Sequence, residues 1–369
     1  MDRRRRRRTG VRGARGMFVF FHQNEVDGLQ GGIERYLATL MAAAGPDGLL
    51  VTEATDRPED RTRLSLRLPF AKGPKWIPFA LAVLAKLGTI RRRLEAADRP
   101  VLEFSRPEYA VFAWALPGRR VFTIHGTGPG ASEPAKRIVH DLACFFLPFV
   151  ADRVQVVGRD DSGLSARVRH RLGTRLAHVD AWYDDRFRPT PLPKAGPTIV
   201  FYAGRIVEQK NPKLLFEIFR RGRARFGAEI EFRYFGADVA ALREAGVADL
   251  VETTGMLGPD RLAAAIAECH MGLMCSHFGE GSPFIVVETL ACGRGYVLSS
   301  LPTLTGAYAG NPGVRFAEDF AADTFLDRIA ELRSALDENL DAATIAAAVA
   351  DRSKPVATAA LLDEYRALA

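Results

Sequence analysis

Two glutamates, Glu280 and Glu288, flank the segment whose residue types are best suited to chemistry. Between them Gly281, Ser282 and Pro283 predict a tight turn, and the apolar residues that follow predict a helix with Pro283 as its first residue. Backbone N–H groups at a helix start favour an anion. Carboxylates beside that start can accept hydrogen bonds from the vicinal hydroxyls of sugars and riboses. Either glutamate alone would more simply satisfy a helix dipole, whereas the pair with its turn favours a binding site.

Two cations follow a predicted strand at residues 198–203. The strand runs into Gly204, Arg205 comes next, and Lys210 stands five residues later, before a predicted helix. A single lysine or arginine most often lies on a solvated surface. Two cations at one strand end, opposite an anion-binding turn, suit a diphosphate leaving group, because arginine offers a planar fork of donors and lysine a point charge.

His125 stands at the end of another predicted strand, and the glycines at 126 and 128 allow a close backbone approach. A lone histidine is more often structural than catalytic. Its place at a strand end makes His125 a candidate for a sugar contact or for proton handling.

Gly31 and Gly32 open the first predicted helix. They do not form the dinucleotide fingerprint G-x-G-x-x-G, and by themselves they indicate a loop-to-helix turn.

Taken in order, these segments resemble the retaining GT-B glycosyltransferases of the "glycosyl transferases group 1" type, which are family 4-like and carry E-x7-E. The resemblance covers most of residues 17–369 and is most specific in the C-terminal half. After Glu288 the residues T-L-A-C-G resemble the family's E-A-x-A-x-G ending. The segments that carry the resemblance are Gly31 to Arg35, His125, Gly204-Arg205 with Lys210, and Glu280 to Glu288.

The resemblance implies a transferase that moves a hexose-type sugar from a nucleotide diphosphate sugar to a saccharide or lipid-linked acceptor, with retention of configuration. In such an enzyme Arg205 and Lys210 would hold the diphosphate, Glu288 would bind the donor ribose, and Glu280 would contact the transferred sugar. The donor-binding residues that it implies are Gly204, Gly281, Ser282, Pro283, Phe284 and Glu288.

The resemblance also places His125 beside the sugar, near the reacting carbon, and Gly31 and Gly32 near the phosphates. It implies no metal and no cofactor, since fixed cations and helix N-termini neutralise the leaving diphosphate. Front-face attack, with the leaving phosphate accepting the acceptor's proton, would need no side-chain base.

The sequence departs from the family in three places. The usual Gly-x-Pro-Val after the second glutamate is replaced by Gly-Arg-Gly-Tyr-Val at residues 293–297. Residues 301–308 carry neither the usual Gly-Gly nor its Glu, and residues 179–189 lack the usual Asn-Gly. These segments bear on contacts with the donor base and the sugar rather than on the diphosphate.

Strands and helices alternate in two successive arrays, which predicts the α/β class: a GT-B fold of two doubly wound Rossmann-like domains facing a cleft. Four prolines between residues 189 and 197 mark a linker. The predicted parts are a disordered Arg-rich extension at 1–16, an acceptor-binding domain at 17–188, a donor-binding domain at 189–350, and a C-terminal helix at 351–369 that crosses back to the first domain.

Residues 1–16 hold eight arginines and one aspartate and so account for the whole formal net charge of +7. The neutral remainder gives no general case for nucleic acid, although the arginine run itself could bind anionic lipid or nucleic acid, or precede a true start at Met17. Four scattered cysteines predict buried reduced thiols, and no apolar run approaches the length of a membrane span. We therefore expect a cytoplasmic protein, in peripheral contact with the membrane at most.

Residues 76–96 predict one apolar helix with a basic end. It would lie on an anionic membrane and meet a lipid-linked acceptor, or it would face the core with its basic end solvated; the second interpretation is favoured. Two other functions remain open: a nucleotide-sugar epimerase or another enzyme on the same fold, and a non-catalytic protein that binds a nucleotide sugar or nucleic acid.

Overall fold

A computed structural model describes most of the chain. The first fifteen residues of the predicted disordered extension, and Gly128, lie outside the described residues. The described ranges are 16–26, 31–54, 59–95, 97–126 and 134–369.

Strands of the described ranges form two sheets, one of seven strands and one of six. The seven-stranded sheet comprises β1 Phe18–Phe21, β2 Gly48–Glu53, β3 Arg63–Leu66, β4 Val101–Phe104, β5 Arg119–His125, β6 Arg153–Val157 and β7 Leu176–Val179. The six-stranded sheet comprises β8 Thr198–Ala203, β9 Ile230–Phe235, β10 Val251–Thr253, β11 Met271–Met274, β12 Gly295–Ser299 and β13 Val314–Ala317.

Helices connect these strands in parallel crossovers. The helices before the second sheet are α1 Gly32–Ala44, α2 Trp76–Ala85, α3 Leu87–Glu95, α4 Ala110–Ala113, α5 Pro134–Val150 and α6 Ala166–Leu172. Those that follow are α7 Pro212–Phe226, α8 Val239–Glu244, α9 Pro259–Ala267, α10 Phe284–Ala291, α11 Pro302–Tyr308, α12 Ala322–Glu338, α13 Ala342–Ala347 and α14 Lys354–Leu368.

The strand orders are β3-β2-β1-β4-β5-β6-β7 and β10-β9-β8-β11-β12-β13. Each order reverses direction once, between β1 and β4 in the first sheet and between β8 and β11 in the second. In open sheets of this kind ligands bind at the carboxyl ends of the strands on either side of the reversal. The residues that follow β8 and β11 are those that the sequence singles out for a diphosphate.

Apolar runs form the central strands because helices cover both faces of a parallel sheet. Every residue of β1, β4, β11 and β12 is buried. In the first sheet Phe104 stacks on Phe21 of one neighbouring strand and on Phe122 of the other, with ring centroids 4.9 and 4.8 Å apart. Such aromatic pairs add to the burial that holds adjacent strands together.

The chain divides into two compact units. The first contains the described residues up to 122 together with 149–153 and 361–369, and the second contains 123–148 and 154–360. In the first unit Tyr365 of α14 packs its ring 6.3 Å from that of Phe18. Among the described residues no helix is both long and apolar enough to cross a bilayer. All four cysteines are buried, as the sequence predicted.

The prediction of a single helix over residues 76–96 is wrong. Two helices, α2 and α3, meet at Lys86, whose dihedral angles of −101° and 12° are not helical and whose N–H donates to Ala82. α2 buries Phe79 and Val83, so it does face the core, as the favoured interpretation held.

A buried arginine holds the proline-rich segment against the second sheet. Arg294 is fully buried and donates to the carbonyl oxygens of Thr190, Pro191 and Ala267 at 2.7–3.0 Å. It also donates to the Thr190 hydroxyl at 2.6 Å. A buried cation is tolerated only when such acceptors replace its water, so these contacts fix the path of residues 190–191.

We predict that Arg294→Met lowers the free energy of unfolding by about 3 kcal/mol or more, because several buried carbonyl groups lose their donor at once. Urea unfolding followed by circular dichroism measures the change. The matched control is Arg220→Met on the exposed face of α7, with an expected loss below about 1 kcal/mol. Equal losses in the two variants would contradict this account of Arg294.

Candidate functional site

Arg205 lies in the turn after β8, and hydrogen bonds from two tyrosines of neighbouring strands fix the backbone of this turn. The Tyr234 hydroxyl donates to the Gly204 carbonyl at 3.0 Å, and the Tyr202 hydroxyl donates to the Arg205 carbonyl at 3.0 Å. The two rings stack with centroids 5.9 Å apart. Burial raises the pKa of Tyr234 to about 12, so its hydroxyl stays protonated and can donate. Gly204, at a φ of 146°, takes a conformation that glycine adopts readily.

Arg205 itself is exposed, and its side chain makes no hydrogen bond or ion pair with another residue of the described ranges. Its guanidinium is therefore available to a ligand. The turn that follows is fixed by Asp238, whose carboxylate accepts from the Ile206 N–H at 2.8 Å.

Lys210 and Glu280 form a largely buried ion pair. The Lys210 Nζ lies 2.5 Å from the Glu280 Oε1, and the two side chains are 17% and 5% exposed. Gln209 adds a hydrogen bond from its Nε2 to the Gly279 carbonyl at 2.9 Å. These contacts join the segment after β8 to the segment after β11. The sequence brought both residues to one site but did not predict that they pair with each other.

The helix start that the sequence predicted is present, with one correction. α10 begins at Phe284, so Pro283 is the residue before the helix and not its first residue. Pro283 has an extended conformation, with φ −71° and ψ 125°. Ser282 is 7% exposed, and its Oγ accepts from the Ala181 N–H at 2.8 Å, which anchors the turn. The serine hydroxyl is thus engaged in holding the loop in place.

Glu288 lies in the second turn of α10 and is 1% exposed. Its charge contributes to raising the pKa of Arg186, after the larger effect of the hydrogen bond between that guanidinium and Asp184. The two glutamates of the E-x7-E pattern therefore both lie in buried surroundings, one before the helix and one within it.

Gly158 and Gly126 directly follow strands β6 and β5 of the first sheet, and both lie very close to the backbone of the loop that contains Glu280. These residues all belong to the second unit. A Cβ added at Gly158 would lie 2.6 Å from the Gly281 carbonyl oxygen, and one at Gly126 would lie 3.2 Å from that of Gly279. Gly158 and Gly126 have φ of 102° and 82°. Because His125 immediately precedes Gly126, the structure brings the predicted histidine to the same loop as Glu280.

Gly31 and Gly32 belong to the first unit, where Gly31 precedes α1 and Gly32 begins it. Beside them lies a polar cluster that sequence reasoning missed. The His22 ring contacts the Ser105 Oγ at 2.8 Å through Nδ1 and the Glu34 Oε1 at 3.3 Å through Nε2. His22 and Ser105 directly follow β1 and β4, the strands at the reversal of the first sheet. The sequence predicts the first strand at 17–22, so His22 is its last predicted residue, and a rule that inspects the last residue of each predicted strand and the one after it would have found both.

The described residues contain no group of three or more His, Cys, Asp or Glu side chains that could hold a metal ion.

Comparisons with known proteins agree with this architecture. Residues 197–335 match the family model described as "Glycosyl transferases group 1". The O-antigen biosynthesis protein RfbC of Myxococcus xanthus is 30% identical over 129 residues, which is 33% of this chain and 10% of that protein. The chain thus covers about a tenth of the length of this curated relative.

Solved structures share the fold over nearly the whole chain. A sucrose-phosphate synthase from Thermosynechococcus elongatus superposes with a TM-score of 0.75 at 15% identity, covering 96% of this chain and 99% of that one. The Anabaena protein HepE in complex with UDP has a TM-score of 0.73 at 12% identity, covering 95% and 100%. The predicted α/β class, with two Rossmann-like sheets of the GT-B type, is confirmed.

We predict that Gly158→Ala lowers the free energy of unfolding by about 2–3 kcal/mol, because the new methyl group meets the Gly281 carbonyl in a strained conformation. The matched control is Gly173→Ala, where φ is also positive at 51° but no atom lies within 4 Å of the added Cβ. Its expected loss is about 1 kcal/mol. Urea titration of both variants measures the difference, and indistinguishable losses would show that the close approach is not tight.

The lowered pKa of Glu34 predicts how the stability of the folded protein depends on pH. The hydrogen bond with His22 is the largest cause that lowers the pKa of Glu34 to about 2 from an ordinary 4.5. A carboxylate with a lowered pKa stabilises the folded state fully above about pH 4.5, and this stabilisation declines as the pH falls towards 2.

We therefore expect Glu34→Gln to lower the free energy of unfolding by about 1–3 kcal/mol at pH 7. The difference from the wild-type protein should shrink below about pH 4.5. Urea unfolding monitored by tryptophan fluorescence from pH 7 to about pH 3 measures it. A difference that grows on acidification would contradict the assigned sign.

Proposed function

We propose that this chain is a glycosyltransferase that moves a hexose-type sugar from a nucleotide diphosphate sugar to a saccharide or lipid-linked acceptor, with retention of configuration. The observation that carries the proposal is the corner where β8 and β11 end. Arg205 after β8 is exposed, and the buried Lys210–Glu280 pair joins that segment to the loop that leads into the N-terminus of α10. The family match over residues 197–335 supports the same reaction class.

The diphosphate would lie between Arg205 and the backbone N–H groups at the start of α10. A planar guanidinium binds two phosphate oxygens at once, and a helix start adds donors and a favourable dipole. Lys210 would add its charge as the leaving group develops negative charge, which places stabilisation where the transition state needs it. No metal or cofactor is part of this proposal.

The sugar would lie near Glu280 and His125. Glu280 would accept hydrogen bonds from sugar hydroxyls with the oxygen that Lys210 leaves unused, and Glu288 would bind the ribose. In the transfer the bond from the anomeric carbon to the diphosphate oxygen breaks, and a bond from that carbon to the acceptor oxygen forms. The acceptor's proton passes to the departing phosphate oxygen, so the step needs no side-chain base.

UDP is the first nucleotide to test, since the similar Anabaena protein holds it. The name of the Myxococcus relative makes O-antigen or another surface polysaccharide the first acceptor class to test. Calorimetry with UDP, GDP and ADP identifies the base. Nucleotide release from the corresponding sugars, with and without saccharide acceptors, then measures transfer, and NMR of the product reads the anomeric configuration. Epimerisation without any acceptor, or binding without turnover, would replace the proposed reaction by one of the two alternatives.

We predict that Arg205→Gln weakens nucleoside diphosphate binding about tenfold or more, because a charge-assisted contact contributes about 1.5–3 kcal/mol. Lys213→Gln is the matched control, since Lys213 is an exposed cation in the first turn of α7. Calorimetry should find its affinity unchanged. Equal effects of the two replacements would remove Arg205 from the site.

The Lys210–Glu280 pair allows catalysis to be separated from folding. Either Lys210→Gln or Glu280→Gln should lower stability by about 3 kcal/mol, because one replacement leaves the other charge buried without its partner. The double replacement should recover most of the stability but none of the sugar transfer. Recovery of both would make the pair structural only.

A further inference from the structure

We propose that α5, together with the basic helix α6 beside it, is a docking surface for an anionic lipid bilayer. The surface consists of Ile138, Val139, Leu142 and Phe146 of α5, with basic residues at either end. This inference rests on the exposed face of one helix and does not depend on the proposed reaction.

Several large apolar side chains of α5 lie on its exposed face, whereas a helix that only covers a core has polar residues there. Its buried stripe consists of His140, Cys144 and Leu147. On the other side Ile138 is 69% exposed, Leu142 57% and Phe146 47%, with Val139 at 40%. Large apolar side chains gathered on one exposed helix face are unusual and mark an interaction surface, since exposed apolar residues are ordinarily scattered singly.

Basic residues surround this apolar face. Lys136 and Arg137 lie in the first turn of α5 and are exposed, and the Arg137 Nε lies 3.9 Å from a carboxylate oxygen of Asp141, one turn along the helix. At the other end Arg175 donates to the Pro148 carbonyl of α5 and to the Arg171 carbonyl of α6, both at 3.1 Å, and so ties the two helices together.

α6 reads A-R-V-R-H-R-L and contains no acidic residue. Its Arg167 and Arg171 are exposed, whereas Arg169 turns to the carbonyl of Leu164 and to Asp161. Asp141 is the one acidic residue within α5 itself. The surface is therefore apolar along the middle of α5 and cationic at both ends.

This combination fits a lipid surface of negative charge. Apolar side chains of an amphipathic helix enter the boundary between headgroups and acyl chains, and flanking lysine and arginine reach the lipid phosphates. A second copy of the chain fits less well. In a two-fold symmetric dimer an antiparallel pair of α5 helices would bring the basic end of each helix against the basic end of the other, which is repulsive.

α2 provides a matched comparison within the same protein. It also exposes three apolar side chains on one face, Ile77, Leu81 and Leu84, at 36%, 47% and 39%. This is the helix that the sequence suggested as an alternative membrane contact. The structure favours α5 over α2, because α5 has more exposed apolar side chains and the most exposed of them are more accessible than those of α2.

The test is flotation of the full chain with two kinds of vesicle, phosphatidylcholine alone and phosphatidylcholine with about a third phosphatidylglycerol. The arginines at positions 3–8 are replaced by glutamine in every variant, because an arginine run binds anionic lipid by itself. In this background we expect binding to the anionic vesicles and little binding to the neutral ones.

Three variants separate the outcomes. Combined Ile138→Ser, Leu142→Ser and Phe146→Ser should weaken partitioning about tenfold or more, since each loses apolar area that enters the membrane. Combined Arg167→Gln and Arg171→Gln should weaken binding to anionic vesicles by severalfold. Combined Ile77→Ser, Leu81→Ser and Leu84→Ser should leave partitioning unchanged, with thermal unfolding verifying that all three variants fold.

Two results would overturn the proposal. One is equal partitioning of the α5 and α2 variants, which would place the contact elsewhere. The other is a protein that ignores both vesicles and is dimeric by light scattering, with the α5 variant monomeric, which would make this face an interface between copies of the chain.

Discussion

The Lys210–Glu280 ion pair is the interaction on which the arrangement of the second unit's site depends. It joins the segment after β8 to the segment after β11, and these are the two places where a doubly wound sheet offers its ligand site. Burying a carboxylate without a partner is costly, so Glu280 requires the lysine and the lysine in turn is held at one position. The pair therefore holds together the segment after β8, which contains Arg205, and the loop that leads into α10.

This pairing also sets the electrostatic capacity of the site. Lys210 is partly neutralised by Glu280, so in the proposed reaction a diphosphate would meet one fully available side-chain cation, Arg205, together with the donors at the α10 terminus. In that reaction the charge of Lys210 would act on the leaving group as negative charge develops there. Preorganised charge of this kind favours the transition state over the bound substrate, which is the condition for acceleration rather than tight binding.

The sequence predicted the central strands and the helices of the site well, and the physical reason is burial. The sequence predicts strands at 101–104 and 198–203 and a helix at 284–292, which are mostly apolar segments that each follow a proline. β4, β8 and α10 match these bounds within one residue. The strands that the sequence missed, β3, β7 and β13, all lie at sheet edges, where one side lacks a neighbouring strand and the apolar pattern is short or mixed.

The contacts within the site were less predictable than its elements. Residue types at strand ends indicated Arg205, Lys210, Glu280 and His125, because a parallel sheet collects its strand ends at one edge. Nothing in the spacing revealed that Lys210 bonds Glu280 rather than solvent. In the His22–Glu34–Ser105 cluster, His22 and Ser105 are 83 residues apart in sequence, and the pairing of β1 with β4 brings them into contact.

The departures from the family pattern after Glu288 follow from the same packing. Arg294, Gly295 and Tyr296 are all buried, and a Cβ at Gly295 would lie 2.7 Å from a methyl carbon of Leu332. The terminal nitrogens of Arg294 donate to the carbonyls of Thr190 and Pro191, so this residue anchors the linker that precedes the second sheet. The Gly-Arg-Gly-Tyr-Val sequence at residues 293–297 therefore contributes to anchoring the linker, and the residues proposed to bind a diphosphate lie elsewhere in the chain.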